Sequence, residues 1–402
     1  MAALTNKQKD DLNKAILEYL IAYPQTLASF QLETSLTNAD ASTGDLLSKK
    51  WISIIRLQKK VMELEENVNA LKAQIPLKYS QNIESESCLP VSPEIKTLEG
   101  HRAPITCVTF HPIYTLMSTS SEDGTIKIWD YESGKLEKTL KGHTETVNCV
   151  VFNKKGTMLA SCSSDITIKL WNCENFECIK TLNGHNHTVS SIFFLGDDFI
   201  VSASRDKSIK IWEVATGYCK KTLIGHSDWV RAIAIDSQGE LIASASSDQS
   251  IILWQANLEN ALVAKLMEHE HVIECIQFAN SNAALTISNS DYYKKKDSRK
   301  FLASGSRDKT IKIWDATTFQ SVITLSGHDI WVRGLAFHPQ GKYLFSCSDD
   351  KSILCWDLMS GKQTKRLSCA HTHFITTISI SATYPVFATG GVDALIKLWS
   401  CK

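Results

Sequence analysis

Tryptophan recurs through this chain at Trp129, Trp171, Trp212, Trp254, Trp314, Trp356 and Trp399, at spacings of 41 to 43 residues with a single gap of 60. A period of this size marks stacked supersecondary units, none of which can bury its apolar face alone. Two further residue types keep the same period. Six residues before each Trp stands an Asp: Asp123, Asp165, Asp206, Asp248, Asp308, Asp350 and Asp393. A His, usually after Gly, lies 21 or 22 residues upstream of that Asp, at His101, His143, His185, His226, His328 and His371. In the fifth unit His269 fills the place, and the distance widens to 39.

Between these markers lie short runs with apolar residues at alternate positions, such as Ile126 and Ile128 or Ile209 and Ile211, bounded by Gly, Asp and Ser. That alternation is strand periodicity. Three strands per unit are plain, and the stretch between each Trp and the next Gly-His supplies a fourth, for example Leu136 to Leu140. Seven units of four strands make an all-β, seven-bladed propeller, expected over residues 94–402. The last Trp stands three residues from Lys402, which leaves the seventh unit short of its outer strand. The run Glu94 to Leu98 reads like the other outer strands, and it is expected to close that blade and so remove an exposed edge.

Lys plus Arg equals Asp plus Glu at 43 each, so the chain lacks the overall basic character that draws proteins to phosphate backbones, and no nucleic-acid partner is expected. Residues Met1 to Asp11 carry no apolar signal core, and no later stretch is long and uncharged enough to span a bilayer. The expectation is a protein neither secreted nor inserted in a membrane. The twelve cysteines are scattered singly without C-x-x-C spacing, and several fall on repeat positions held elsewhere by Ala or Gly. They read as reduced, buried packing residues rather than metal ligands, with no metal or other cofactor expected.

His, Asp and a nearby Ser or Thr look like the parts of a hydrolase triad. A nucleophile is needed once, whereas a hydrogen-bond network holding each blade is needed seven times, so the recurrence points to structure and away from catalysis. Together with the literal Trp-Asp pairs at Trp129-Asp130, Trp314-Asp315 and Trp356-Asp357, these features closely resemble the WD-repeat family.

Upstream, Leu12, Ile16, Tyr19 and Leu20 form a helical apolar stripe that Pro24 interrupts and Leu27, Ala28 and Leu32 resume. Residues 1–40 resemble the LisH dimerisation motif, an all-α element, and 41–53 form a connector. From 54 to 75 a heptad places Ile54, Val61, Val68 and Ile75 at a and Leu57, Leu64 and Leu71 at d, before Pro76 ends it. β-branched a positions with Leu at d favour a parallel two-stranded coil, and the expected arm therefore pairs two copies. Residues 76–93, rich in Ser, Glu and Pro, read as a flexible linker. Residues 280 to 300, which cause the long fifth spacing, read as a mobile surface loop carrying Tyr292, Tyr293 and three consecutive lysines.

Seven of the ten tryptophans belong to the repeat, which leaves Trp51, Trp229 and Trp331. The last two occupy one slot, just before the Val that opens an inner strand, and each precedes an Arg by two positions: Arg231 and Arg333. The residue before the repeat Asp is Arg205 in the third blade and Arg307 in the fifth. Both slots fall on the rim that carries the His and Asp loops, so blades three to six are expected to present indole and guanidinium groups together, with Lys351 nearby. Arg and Trp are the residue types most enriched in binding hot spots, while stacking of Trp on Arg within the rim is the other reading of the same residues. Changing Arg205, Arg231 and Arg307 together to Ala is expected to leave the melting temperature unchanged.

Arm and propeller together resemble the lissencephaly-type, nuclear distribution family of dynein regulators. That resemblance implies binding of the cytoplasmic dynein heavy chain through Arg205, Trp229, Arg231, Arg307, Trp331, Arg333 and Lys351, regulation of its microtubule attachment, and roles in nuclear migration, organelle positioning and spindle orientation. It also implies nuclear-distribution coiled-coil adaptors as partners and a cytoplasmic, microtubule-associated location at centrosome or spindle pole. The alternative it implies is a non-catalytic subunit of a platelet-activating-factor acetylhydrolase.

Overall fold

A computed structural model describes residues 89–256, 262–290, 292–293 and 300–401. The expected LisH stripe, connector, Trp51, heptad and most of the linker lie outside the described residues, as does the run Lys294 to Lys296.

Among the described residues twenty-eight strands, β1 to β28 in chain order, form seven antiparallel sheets of four. Six sheets are built from four consecutive strands. Their inner strands, and that of the seventh, are β2 (Ile105–Phe110), β6 (Val147–Phe152), β10 (Val189–Leu195), β14 (Val230–Ile235), β18 (Ile273–Phe278), β22 (Val332–Phe337) and β26 (Ile375–Ile380). The seventh sheet is closed by the start of the domain: β1 (Pro90–Leu98) pairs with β28 (Ile396–Cys401), with Lys96 opposite Leu398 and Leu98 opposite Ile396. The linker reading needs correcting here, because Pro90 to Pro93 belong to β1. Proline is tolerated on an outermost strand, whose far side has no ladder to feed, and the register shift between Val91 and Lys96 absorbs the misfit.

The core lies between blades rather than at one centre. Each repeat Trp is 1–3% exposed and packs on the neighbouring sheet; Trp254, for example, sits with Val201 and Ala203 of blade three as well as Val230 and Ile233 of its own. Burying one indole is worth roughly 4–6 kcal/mol before ordering entropy is subtracted.

A four-member hydrogen-bond chain staples each blade. In blade one Trp129 Nε1 donates to Thr119 Oγ1 at 2.9 Å, His101 Nε2 lies 2.9 Å from that hydroxyl, and His101 Nδ1 lies 2.8 Å from Asp123. An indole can only donate and a carboxylate only accept, so the direction is forced: the hydroxyl gives its proton to Nε2, and a neutral imidazole donates from Nδ1 to Asp. Ser161, Ser202, Ser244, Ser304, Ser346 and Thr389 repeat the role. Blade five keeps the geometry despite its insertion, with His269 2.7 Å from Asp308.

That insertion is not the mobile loop its composition suggested. It opens with α1 (Ser281–Ser288), capped by Asn280, whose side chain accepts from the Ala283 N–H. Ala283, Ala284 and Ile287 are buried against Phe301, Phe337 and Leu344. Gly341, at φ +81°, lets the next blade's turn touch the helix; a Cβ there would stand 2.2 Å from the Asn282 carbonyl carbon. Tyr293 donates to Asp315 at 2.8 Å and Tyr292 to the Leu358 carbonyl. The cysteine reading also holds only in part: Cys162, Cys347, Cys355 and Cys401 are buried, but Cys178, Cys219 and Cys369 are exposed. Cys178 and Cys219 lie in outer strands β9 (Cys178–Leu182) and β13 (Cys219–Ile224), most of whose residues face solvent.

Candidate partner-binding rim

Every inner strand begins with a bulge. The register shifts between the first and third residues of β2, β6, β10, β14, β18, β22 and β26. The second residue is therefore left without a ladder partner and its side chain turns to the mouth of the central channel. These residues form a ring in blade order: Thr106, Asn148, Ser190, Arg231, Glu274, Arg333 and Thr376. A cavity of about 360 Å³ opens there, lined by all seven of them together with Arg205 and Trp229.

A second ring surrounds the first. The residue before each repeat Asp donates its N–H to the carbonyl of the residue before the inner strand, as in Arg205 to Thr188 (2.9 Å), Ser247 to Trp229 (2.8 Å), Arg307 to Val272 (2.9 Å) and Asp349 to Trp331 (3.1 Å). This rung fixes where the rim arginines start. Arg205 then reaches across to blade four, its guanidinium 4.8 Å from the Trp229 ring centre, while Arg231 approaches the same indole at 5.7 Å. Blades five and six repeat the arrangement: Arg307 lies 4.1 Å and Arg333 5.1 Å from the centre of Trp331. The sequence thus placed these six residues correctly together, and the intramolecular stacks are real. They still leave Trp229 38% exposed.

Two carboxylates hold part of this charge. Glu274, whose side chain is 9% exposed, accepts from Arg307 Nε at 2.5 Å and lies 3.5 Å from both Arg231 Nη1 and Arg333 Nη1. Arg333 Nε also donates to Asp349 at 2.9 Å. Burial pushes the Arg231 guanidinium below its usual pKa; Glu274 opposes this, and Arg307, Arg205 and Arg333 add to it. At Arg333 burial acts the same way but is outweighed by Asp349 and Glu274, and the net shift is upward. Among the described residues Arg205 has no ion pair. Lys351 has none either; it sits at φ 64° in the turn after Asp350 and does not line the channel mouth.

The pairing changes one expectation. Replacing Arg205, Arg231 and Arg307 together by Ala strips Glu274 of two of its three cations, so that triple change lowers stability as well as charge. Glu274 was missed because the repeat was followed through Trp, Asp and His; comparing the second residue of all seven inner strands isolates it at once. Phe374, 37% exposed, was missed too, although it fills the Trp229 slot in blade seven.

Among the described residues no helix is long and apolar enough to cross a membrane, and no group of His, Cys, Asp or Glu is arranged to hold a metal ion. The chain matches the WD domain, G-beta repeat, at residues 92–130, 134–172, 176–213, 217–255, 294–315, 319–357 and 361–400, and the PAC1 LisH domain at residues 6–39. The fifth repeat matches only from 294 because α1 and its flanks separate β18 from the rest of the blade. Over its length the chain is 42% identical to nuclear distribution protein PAC1-1 of Uncinocarpus reesii, covering 93% of this chain and 88% of that protein. Nuclear distribution protein nudF of Emericella nidulans is also 42% identical, with 93% and 89% covered, and PAC1 of Ajellomyces capsulatus 42%, with 94% and 88%. With repeat, N-terminal motif and full-length relatives in agreement, the chain belongs to the PAC1/nudF nuclear distribution family of WD-repeat proteins.

Proposed function

We propose that this protein is a non-catalytic, dimeric scaffold of nuclear distribution that binds the cytoplasmic dynein motor domain through the arginine–tryptophan rim and regulates its hold on microtubules in the cytoplasm. The observation that carries the reading is the rim itself: four guanidinium groups stacked on two indoles and matched by only two carboxylates, on a chain with no net charge. Such a face suits an acidic protein surface, where Arg gains paired hydrogen bonds and Trp supplies buried area. The relatives' name, nuclear distribution protein, supports the cellular role. Pairing through the N-terminal arm would raise the local concentration of the second propeller once the first has bound.

A scaffold rather than a hydrolase is supported by the hydroxyls of the staples. Ser161, Ser202, Ser244, Ser304 and Ser346 are fully buried, and each is already engaged by an indole and an imidazole, which leaves no path for a substrate.

The test is retention of purified dynein motor domain by the full chain across a salt series. Binding that weakens as salt rises is expected, since the rim charges are partly exposed. No retention at low salt overturns the proposal.

A further inference from the structure

The ring at the channel mouth has a break in its chemistry. In blades one, two, three and seven the second residue of the inner strand donates to the carbonyl of the first residue in the next blade's inner strand: Thr106 to Val147 (2.5 Å), Asn148 to Val189 (2.7 Å), Ser190 to Val230 (2.5 Å) and Thr376 to Ile105 (2.5 Å). Blade five has Glu274 at that position. A carboxylate cannot donate, so the blade-to-blade link is made another way. Glu274 accepts from Arg307 of its own blade and faces Arg231 of the preceding blade and Arg333 of the following one. Three cations of one surface converge on a single, nearly buried anion. Without it their mutual repulsion in this half-buried place would drive the guanidinium groups apart and out toward solvent.

We infer that Glu274 is the specificity-determining residue of the rim. It positions Arg231, Arg307 and Arg333 as one array and masks part of their charge; this rests on reading the rim as a partner-binding face. A folded acidic partner can present carboxylates in register with the donors that Glu274 leaves open. A flexible polyanion cannot, because it senses mainly net charge and must order itself to bind. Glu274 therefore weakens loose electrostatic binding while supporting the matched complex, and discrimination is the difference between the two.

The experiment uses the full chain and Glu274→Gln, which keeps the side chain's shape and removes its charge. Two probes are titrated over a salt series: soluble poly-L-glutamate and the purified dynein motor domain. For Glu274→Gln, poly-L-glutamate affinity is expected to rise about tenfold at low salt and to fall more steeply as salt is added, while motor-domain affinity falls about tenfold. Adding Arg307→Gln removes the unmasked positive charge and brings poly-L-glutamate affinity back down, which loosened folding alone would not do. Each variant is melted in parallel and probed well below its own midpoint. If Glu274→Gln fails to fold, Glu274→Asp takes its place, because its shorter reach cannot span all three cations, and a smaller rise in poly-L-glutamate affinity is expected. Poly-L-glutamate affinity equal to that of the unchanged protein overturns the inference. So does a rise in affinity for both probes together. A motor domain that the unchanged protein does not retain, alongside the expected poly-L-glutamate response, removes the proposed partner and leaves the charge-masking role of Glu274 standing.

Discussion

The staples and the channel-mouth ring are both sevenfold, yet only the staples are uniform. Their chemistry has one solution: a donor-only indole at one end, an acceptor-only carboxylate at the other, and between them an imidazole and a hydroxyl that relay one direction of hydrogen bonding. The middle group can be Ser or Thr and nothing else changes. The ring asks less of its residues, since it ties blades together through a hydroxyl or amide donating to a carbonyl or through an ion pair. Blades four to six take the second option with Arg231, Glu274 and Arg333. The difference teaches where function can accumulate on a repeat scaffold: at positions where more than one chemistry can tie neighbouring blades.

The comparison breaks most readily at a staple. Asp308→Ala removes the acceptor for the His269 ring, the Glu270 and Thr310 N–H groups and the Thr310 hydroxyl. A loss of about 3 kcal/mol is expected from the urea midpoint, because several buried donors lose their partner at once. Acid melting probes the same chemistry. Burial raises the Asp123 and Asp393 carboxyls, but hydrogen bonds, from Thr125 and His101 for Asp123 and from His371 for Asp393, outweigh it and hold both at about 2. Folded values below the unfolded one mean stability that is complete above roughly pH 4 and is lost as pH falls toward 2. Burial also lowers His101 and His143, against the pull of their Asp partners, so protonation of these imidazoles adds a loss that begins below about pH 6.5. A melting temperature flat from pH 6 to 3 would contradict the staple account.

In the ring, Arg333→Met leaves Asp349, 4% exposed, without its cation and Glu274 with two. About 2 kcal/mol is expected, read from the same urea midpoint. Ser118 sharpens the comparison from the other side. Its buried hydroxyl has no hydrogen-bond partner, where other blades place Ala160, Val201, Ala243, Ala303, Phe345 and Ala388. Ser118→Ala is therefore expected to stabilise by about 1 kcal/mol in thermal or urea unfolding. Arg205→Ala, with no ion pair to lose, is expected to change stability by under about 0.5 kcal/mol.

The propeller was legible because staple chemistry admits so few residue types that Trp, Asp and His recur at the surface of the sequence. The closing strand was legible from its likeness to other outer strands; its start at Pro90 was not, since two prolines mask an edge strand. Helix α1 escaped because Ser281 to Ser288 carries no charge pattern and its burial depends on Phe301 and Phe337, which are distant in sequence. Of the rim, the residue types and their shared face could be read, as Arg205, Trp229, Arg307 and Trp331 all depart from the repeat. The ion pairs could not, because they depend on a bulge that turns Glu274 toward arginines 33 to 59 residues away in the chain.

The central claim is that departures from the repeated chemistry bind a partner while the repeated chemistry holds the fold. Its most direct test is the affinity of the Arg205→Ala variant for the dynein motor domain, measured beside its melting temperature. The account predicts affinity reduced about tenfold or more with the melting temperature unmoved. Undiminished affinity in a folded variant would contradict it.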